Sequence, residues 1–246
     1  MDEGNSGRER VEQVKPTLII SDCHAPYHHQ DTIPFLCTVR DHFKTEQAIH
    51  VGDETDQHAL SYHEHDPDGQ SDGDELEAAI AFIKPLHRAF PKMRLCESNH
   101  GSLMYRKAKT HGMSAKRLKS LDEIYGISGW SWHEEIIEDI RPGLGLCVRH
   151  SFGINVSTAL PRQGGVCIAQ GHHHGKLNVE YLQTPTVRLF GMTVGCLIDS
   201  TARTFAYNRL QQTRPILGCG VVVRGMAIAV PMWTDAANRW TGKVSL

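Results

Sequence analysis

The chain has 246 residues and a formal net charge of −2 at pH 7, with a pI near 6.8. This near-neutral balance argues against strong nucleic-acid binding through bulk charge alone. No stretch approaches the roughly 20 apolar residues that a membrane span needs, and residues 1–15 are polar and charged, unlike a signal peptide. We therefore expect a soluble intracellular protein with a mobile arm at 1–15 and a single domain over 16–246.

The first part of the chain predicts a βαβ unit. Apolar runs at 17–20 and 47–51 are typical of buried strands, and 31–43 carries apolar residues near helical spacing, with Asp31 as its expected cap. A strand, a helix and a strand within about 35 residues place both strand ends on the same edge of a parallel sheet. In open α/β sheets, that edge is where ligands bind.

A segment rich in histidine and acidic residues, 58–72, follows. Between positions 64 and 77 there are seven acidic residues and no Lys or Arg. One interpretation is a solvated loop that leads into a helix N-terminus, where carboxylates favour the dipole. The other is a lid whose histidines reach a substrate. His58 and His63 are the better candidates for substrate contact, because they lie closest to Asp56 in the sequence.

The sequence next predicts a helix at 74–90 and a strand at 92–96, which are followed by a polar motif at 98–102. A basic stretch comes after this motif. Its cations are Arg106, Lys107, Lys109, Lys116, Arg117 and Lys119. A basic helical face is commonly just solvated. The alternative is that one or two of these cations, Arg106 first, meet an anionic substrate.

The rear of the chain predicts a second group of strands. Residues 127–150 are expected to form a loop and two strands, and 155–165 an irregular or short helical crossover. Short apolar runs with Gly and Pro between them then indicate antiparallel strands at 177–182, 187–189, 217–223 and 227–230. Together the two parts suggest two packed sheets with helices outside.

Five of the predicted strands end on residues that can bind metal. These residues are Asp22 and His24, Asp53 and Asp56, Asn99 and His100, His150, and 172–174, which are all histidines. One such ending is usually only a turn, but its repetition predicts a single polar site at the rim of a sheet. Cys23 should face away from that site, because side chains alternate along an extended segment. The seven cysteines lack paired spacing and are expected to be small buried residues in a reducing compartment.

The spacing of these residues resembles a known family. The motifs Asp22-x-His24, Gly52-Asp53-x-x-Asp56, Asn99-His100, His150 and Gly171-His172-x-His174, in that order, resemble the five motifs of the calcineurin-like metallophosphoesterases. The resemblance implies an α/β fold, a four-layer αββα sandwich of two mixed sheets flanked by helices. It also implies two metal ions: one held by Asp22, His24, Asp53 and His174, the other by Asp53, Asn99, His150 and His172. Asp53 would then bridge the two ions.

The resemblance also assigns the chemistry. Two divalent ions that share a carboxylate activate a water to attack the phosphorus of a phosphoester, and His100 assists the leaving oxygen. The third motif departs from the family, because Ser98 precedes Asn99 and Gly101 stands where a carboxylate usually follows the histidine. Asp56 or the 58–66 loop is the candidate substitute for that carboxylate. His173, the extra histidine of the last motif, is expected to point outward or to lie behind the ligands.

We therefore expect a dinuclear metal-dependent phosphoesterase. Mn²⁺ is the first choice on ligand type, and Fe, Ni, Co and Zn also suit a mixed O/N site. A phosphodiester or nucleotide, including a nucleic-acid end, is preferred over a monoester because the site has no evident cap and a basic stretch follows His100. A phosphomonoesterase and a binding or scaffold module with little turnover are the alternatives. A double-strand-break nuclease would need a capping domain and a strongly basic surface, and neither is evident.

Three further segments refine the resemblance. Residues 58–69, 98–106 and 191–199 look like the corresponding parts of small phosphoesterases encoded by tailed bacteriophages. This implies action in a bacterial cytoplasm, without a membrane partner. Neither the natural substrate nor the oligomeric state follows from it.

Overall fold

The computed structural model describes residues 14–62, 69–199, 201 and 214–244. Most of the arm expected at 1–15, and also His63, lie outside the described residues. The strands are β1 (Thr17–Ile20), β2 (Gln47–His50), β3 (Met93–Cys96), β4 (Trp130–His133), β5 (Ile136–Arg141), β6 (Leu144–Arg149), β7 (Cys167–Gln170), β8 (Leu177–Gln183), β9 (Arg188–Val194), β10 (Gly218–Val223) and β11 (Met226–Pro231). The helices are α1 (Thr32–Phe43), α2 (Asp72–Ala89), α3 (Leu103–Thr110), α4 (Leu121–Tyr125) and α5 (Val156–Ala159), with short 3₁₀ turns at His58–Leu60, Ala115–Arg117 and Leu160–Arg162.

The strands form two mixed sheets. The first has the order β11-β10-β1-β2-β3-β4, and the second has the order β5-β6-β7-β9-β8. In the first sheet β1 to β4 run parallel, and β10 pairs antiparallel with β1. In the second, β6, β7 and β9 run parallel, and β5 and β8 are antiparallel edge strands. The expected βαβ unit is confirmed, so β1 and β2 end at the same edge.

Side-chain alternation along β1 divides the core between two faces. Leu18 and Ile20 pack with Phe35 of α1 and Ile83 of α2, whereas Ile19 points to the opposite face and packs within the cluster that joins the two sheets. Alternation is expected because successive side chains of a strand point to opposite faces. The helices α1 and α2 thus cover the first sheet, the second sheet covers its other face, and α5 lies outside the second sheet. The expected four-layer arrangement of two mixed sheets and flanking helices is confirmed.

Two expectations about the rear strands were wrong. The 127–150 segment contains three strands, because β4 completes the first sheet before β5 and β6 begin the second. The strand expected at 187–189 continues to Val194 and runs parallel to β7, in addition to its antiparallel pairing with β8. Gly191 is required there by packing rather than by a turn, because a Cβ on it would lie 2.9 Å from the Val156 Cβ of α5.

Asp31 occupies the position that precedes α1, but its side chain makes no capping hydrogen bond. Its carboxylate instead accepts hydrogen bonds from Arg239 Nε at 2.8 Å, Arg239 Nη2 at 2.7 Å and the Trp240 backbone N–H at 3.0 Å. The helix start is therefore tied to the end of the described chain. Among the described helices, none has the length and apolar character needed to cross a bilayer.

This tether predicts a pH-dependent loss of stability. Hydrogen bonds from Arg239 lower the pKa of Asp31 from 3.8 to about 2. A carboxyl group whose pKa is lower in the folded than in the unfolded protein stabilises the fold at pH values above its unfolded-state pKa. This stabilisation is lost as the pH falls towards the folded-state pKa. Because Arg239 is 55% exposed, we expect Asp31→Asn to cost only about 1 kcal/mol of unfolding free energy near neutral pH.

Urea denaturation of both proteins at about pH 6 and about pH 3 measures this difference, which should shrink at the lower pH. Asp139→Asn, at an exposed position of β5, is the control and should cost little at either pH. An Asp31→Asn penalty that is equal at both pH values would contradict the assignment.

Candidate metal centre

The structure brings the seven residues expected to bind metal to one place. Each follows the carboxyl end of a strand: Asp22 and His24 follow β1, Asp53 follows β2, Asn99 follows β3, His150 follows β6, and His172 and His174 follow β7. These strands belong to both sheets, so the site lies where the two sheet edges meet. Parallel strand order therefore gathers residues that are up to about 150 positions apart.

The first cluster consists of Asp22, His24, Asp53 and His174, whose ligand atoms all lie within 4.8 Å of one another. His24 Nε2 lies 3.4 Å from Asp53 Oδ2 and 3.2 Å from His174 Nε2. His174 Nε2 lies 3.7 Å from Asp22 Oδ1. Three of these residues are buried and His174 is half-buried, so one side of the cluster remains open to solvent.

The second cluster contains Asp53, His150 and His172, again with ligand atoms within 4.8 Å of one another. His150 Nε2 lies 3.3 Å from Asp53 Oδ2 and 3.2 Å from His172 Nδ1. Asn99 Oδ1 lies 2.6 Å from the same His150 nitrogen. Asp53 is thus common to both clusters, and Oδ2 is the oxygen that both face.

The contacts on the far side of two imidazoles indicate which ring nitrogen faces the other candidate ligands. His24 Nδ1 lies 2.5 Å from Asp56 Oδ1, and His150 Nδ1 lies 3.1 Å from the Val51 carbonyl oxygen. Both oxygens only accept, so each Nδ1 carries the hydrogen and each Nε2 presents a lone pair to Asp53. Buried acceptors that face one another are unfavourable unless a cation lies between them. The donor set therefore fits divalent metal, with His24 and His150 oriented from behind as metal-binding histidines usually are.

The charges of the cluster favour ionised carboxylates. Burial raises the pKa of Asp53, but His150, His24 and His100 together lower it more, so the pKa lies below its usual value. Asp56 behaves in the same way. Burial raises its pKa, but the hydrogen bond and the charge of His24 lower it more, so the pKa of Asp56 also lies below its usual value. Metal ligands must be deprotonated, and these carboxylates are ionised at neutral pH.

Three of the candidate ligands have a backbone conformation that is rare for residues with a side chain. The φ angles are 50° at His24, 53° at Asp53 and 63° at His172. Such left-handed conformations cost about 1 to 3 kcal/mol each and persist where the surrounding structure enforces them, most often at functional sites. Here they turn the chain at the end of a strand, so that each side chain points back towards the cluster.

Gly171 allows the end of β7 to approach β1. A Cβ at this position would lie 2.3 Å from Asp22 Oδ2 and 2.4 Å from Val51 Cγ2, so no side chain fits. The close approach lets the His172 backbone N–H donate to Asp22 Oδ1 at 3.0 Å. The glycine of the last motif therefore serves the position of the histidine that follows it.

His100 lies beside the clusters with Asp56. Its backbone N–H donates to Asp53 Oδ1 at 3.1 Å, and its ring packs edge-on against His24 at 4.7 Å between centroids. His100 Nδ1 contacts the backbone carbonyl of Asp56, whose carboxylate Oδ1 is 3.6 Å away. Burial lowers the pKa of His100, but Asp53 and Asp56 raise it more, so the pKa lies above its usual value. The Asp56 carbonyl thus orients His100, in a motif where Gly101 supplies no carboxylate.

The two described substrate-contact candidates lie at the same side of the site. His58 begins a 3₁₀ turn, where its backbone N–H and that of Ala59 donate to the Glu75 carboxylate at 2.7 and 2.8 Å. Arg106 Nη2 donates to the Asn99 carbonyl oxygen at 2.6 Å. The 3₁₀ turn at His58–Leu60 also packs against α3, the helix that carries Arg106. Whether either residue binds substrate stays a prediction.

Cys23 and His173 belong to neither cluster. Cys23 is buried in the core and its Sγ lies 3.4 Å from His50 Nε2, so the expectation that it faces away from the site is confirmed. The His173 ring lies 5.5 Å from that of His172, and its buried Nε2 has no hydrogen-bond partner among the described residues. His173 therefore contacts a candidate ligand but contributes no ligand atom to either cluster.

The sequence interpretation missed Glu54, the residue after Asp53. Its carboxylate is fully buried, and Oε1 accepts hydrogen bonds from Trp132 Nε1 at 2.9 Å and Tyr125 Oη at 3.4 Å. Burial raises the pKa of Glu54. Glu54 therefore supports the Asp53 turn from inside the core. No local pattern distinguishes it from a surface glutamate, because its partners come from distant parts of the chain.

No protein-family model and no curated protein sequence matches the chain. Among solved structures, it is similar to vacuolar protein sorting 29 from Cryptosporidium parvum, with 12% identity over 94% of this chain and 95% of that chain and a TM-score of 0.48. It is also similar to YfcE, a phosphoesterase from E. coli, with 11% identity over 84% and 87% of the two chains and a TM-score of 0.43. The Pseudomonas putida nuclease MPE aligns at 12% identity over 86% and 85%, with a TM-score of 0.36. Identities and TM-scores this low decide neither the family of the chain nor its activity.

Proposed function

We propose that this protein is a phosphoesterase that depends on two divalent metal ions. The observation that carries the proposal is the shared Asp53, whose Oδ2 faces His24 Nε2 at 3.4 Å on one side and His150 Nε2 at 3.3 Å on the other. A carboxylate between two sets of nitrogen and oxygen ligands is the arrangement of a dinuclear site. When bound, the two ions supply positive charge for phosphate oxygens and activate water as a nucleophile near neutral pH.

The residues of the chain divide the remaining work. Asp22, Asp53, Asn99 and four histidines hold the ions, and Asn99 and the imidazoles do so without adding negative charge. The centre therefore keeps a net positive charge that attracts a phosphoester. Asp56 fixes the His24 tautomer, and the Val51 carbonyl fixes that of His150. These supports matter because ligands that are held from behind lose less freedom when they bind metal.

His100 acts at the leaving oxygen. It is 25% exposed at its side chain, which leaves it accessible to substrate, while its Nδ1 is occupied by the Asp56 carbonyl. The remaining nitrogen, Nε2, is the atom that meets the leaving group and donates a proton or a hydrogen bond to it. Asp56 is proposed to orient both His24 and His100 and to take the place of the carboxylate that the third motif lacks.

The substrate is proposed to be a phosphodiester or nucleotide, and the activating ion Mn²⁺. Arg106, fixed on the Asn99 carbonyl, and His58 are the proposed contacts for the part of the substrate that remains outside the centre. The resemblance to phage phosphoesterases supports a bacterial cytoplasm as the compartment. A phosphomonoesterase would use the same residues, and the altered third motif, with Gly101 after His100, is what favours a catalytically weak binding module.

A metal and substrate panel tests the proposal. The protein is stripped with a chelator, reloaded with Mn²⁺, Fe²⁺, Ni²⁺, Co²⁺ or Zn²⁺, and assayed with p-nitrophenyl phosphate and with bis(p-nitrophenyl) phosphate. We expect turnover only after metal is restored, and faster turnover of the diester. Turnover of the monoester alone would reverse the substrate preference. Metal binding without turnover of either ester would contradict the enzyme and support the binding module.

A further inference from the structure

An exposed tyrosine with two cations over its ring lies next to the candidate metal centre. Tyr62 is 55% exposed, and Lys107 Nζ and Arg106 Cζ lie 4.5 and 5.6 Å from its ring centroid. Lys107 Nζ also donates to the Ser61 carbonyl at 3.4 Å. We call Tyr62, Arg106 and Lys107 the Tyr62 platform. The phosphoesterase chemistry makes no use of Tyr62 or Lys107.

The platform is linked directly to the metal centre. Arg106 donates to the Asn99 carbonyl at 2.6 Å, and the Asn99 side chain lies 2.6 Å from His150 Nε2. The two cations lie on α3, which begins at Leu103, just after the Asn99–His100 motif. A substrate held at the centre therefore has the platform as its neighbour on the α3 side.

The local charge differs from that of the whole chain. Positions 106 to 119 carry six Lys and Arg residues and no Asp or Glu, whereas the whole chain has a formal net charge of −2. Among these six, Lys107 is half-buried and the others are exposed. Residues 106–119 thus form a local run of positive charge that begins on α3, in a chain with no overall excess of positive charge. A local basic patch favours binding of a phosphate backbone that crosses it. It does not favour nonspecific binding of polyanions over the whole surface.

We propose that the Tyr62 platform binds single-stranded nucleic acid, with a base stacked on Tyr62 and a flanking phosphate paired with Arg106 or Lys107. Aromatic side chains accept any unpaired base, because every base has a stacking face, and neighbouring cations follow the phosphate backbone. The Tyr62 platform has both the exposed ring on which a base can stack and the cations that can pair with a phosphate, and it lies beside the proposed phosphate-cleaving centre. This inference rests on the proposed function and names the substrate class of the same site.

Fluorescence anisotropy with a labelled ten-nucleotide oligothymidine tests the platform. The measurement uses the full chain with chelator present, so that binding is recorded without cleavage. We expect the wild type to bind, Tyr62→Phe to bind equally well, and Tyr62→Ala to bind about tenfold more weakly, because stacking on the ring is lost. Tyr181→Ala is the matched control, since Tyr181 is also 55% exposed but lies on β8 of the second sheet.

Salt dependence tests the cations separately. The slope of log K against log salt concentration is negative for the wild type. In Lys107→Gln its magnitude should be smaller by about 0.7, the value for one phosphate contact on a single strand. Lys84→Gln, at an exposed position on α2, should leave the slope unchanged. Thermal unfolding of each variant establishes that it is folded.

Three results would overturn the platform. They are the absence of oligonucleotide binding at low salt, equal binding by Tyr62→Ala and wild type, and binding of a duplex as tight as that of the single strand. The last would show that no unpaired base is stacked. The assay is separable from turnover: if the oligonucleotide binds as expected while the metal-loaded protein cleaves no phosphoester, the platform stands and the proposed activity fails.

Discussion

Asp53→Asn is expected to reduce the metal content of the protein from two ions to at most one and to lower kcat by at least about a thousandfold. The substitution preserves the shape of the side chain but removes the negative charge that two cations would share. Bound metal contributes several kcal/mol of transition-state stabilisation, and each loss of about 1.36 kcal/mol lowers the rate tenfold. Elemental analysis and diester hydrolysis, each after loading with Mn²⁺, measure the two effects.

The fold should survive this substitution. Asparagine keeps the shape of the side chain and tolerates the left-handed φ of 53° at this position. Burial raises the pKa of Asp53, but attraction to His150, His24 and His100 lowers it more, so loss of the charge gives up some stabilisation. Thermal unfolding without metal should therefore stay cooperative, at a temperature equal to or somewhat below that of the wild type. Asp139→Asn, at its exposed site on β5, controls for a simple charge change. Hydrolysis that survives intact in Asp53→Asn would identify the activity as that of a contaminant.

His100→Ala is expected to lower kcat by about a hundredfold to ten-thousandfold, the usual contribution of a positioned acid or base. Its metal content should stay at two ions, because His100 is placed at the leaving oxygen rather than among the metal ligands. The loss should be smaller for a p-nitrophenyl ester than for an alkyl ester, because p-nitrophenolate leaves without needing a proton. Parallel assays of both esters with His100→Ala provide the comparison.

His111→Ala is the matched control, since His111 is exposed at the end of α3 and bonds only to helix carbonyls in the described contacts. It should retain wild-type turnover of both esters. An equal loss on both esters in His100→Ala would remove the leaving-group role. A loss of one metal ion in that variant would instead make His100 a ligand.

The candidate site could be predicted because its signals are local. An apolar run that stops on Asp, His or Asn marks a strand and its ligand together, as at Asp22, Asp53 and His150. The βαβ order then places the strand ends at one edge. These two steps cover the first sheet, whereas the approach of β6 and β7 depends on how the second sheet packs against it, and the sequence indicated that approach only through the family resemblance.

The supporting contacts could not be predicted, because they join distant parts of the chain. Asp56 was the candidate substitute for the carboxylate that the third motif lacks, but its contacts were not evident from the sequence: its carboxylate lies 2.5 Å from His24 Nδ1 and 3.6 Å from His100 Nδ1, and its backbone carbonyl also contacts His100. Asp31 has a typical cap position, yet Arg239 and Trp240 bind its side chain instead. Tertiary partners outweigh a local preference whenever they offer a charged hydrogen bond in place of a neutral one.

The strand pattern had a similar limit. In a sequence, a glycine such as Gly191 of β9 is commonly interpreted as the end of a strand, and the predicted strand stopped at 189. In the structure the same glycine admits α5 against the sheet. Local propensity cannot separate a glycine that ends a strand from one that permits close packing.

The central claim is that the two clusters around Asp53 hold two metal ions at once. Calorimetric titration of the chelator-stripped wild-type protein with Mn²⁺, followed by anomalous diffraction from crystals of the loaded protein, measures this directly. The expected result is two ions per chain, separated by about 3.5 to 4 Å with Asp53 between them. A single ion at saturation, or two ions with no ligand in common, would contradict the account.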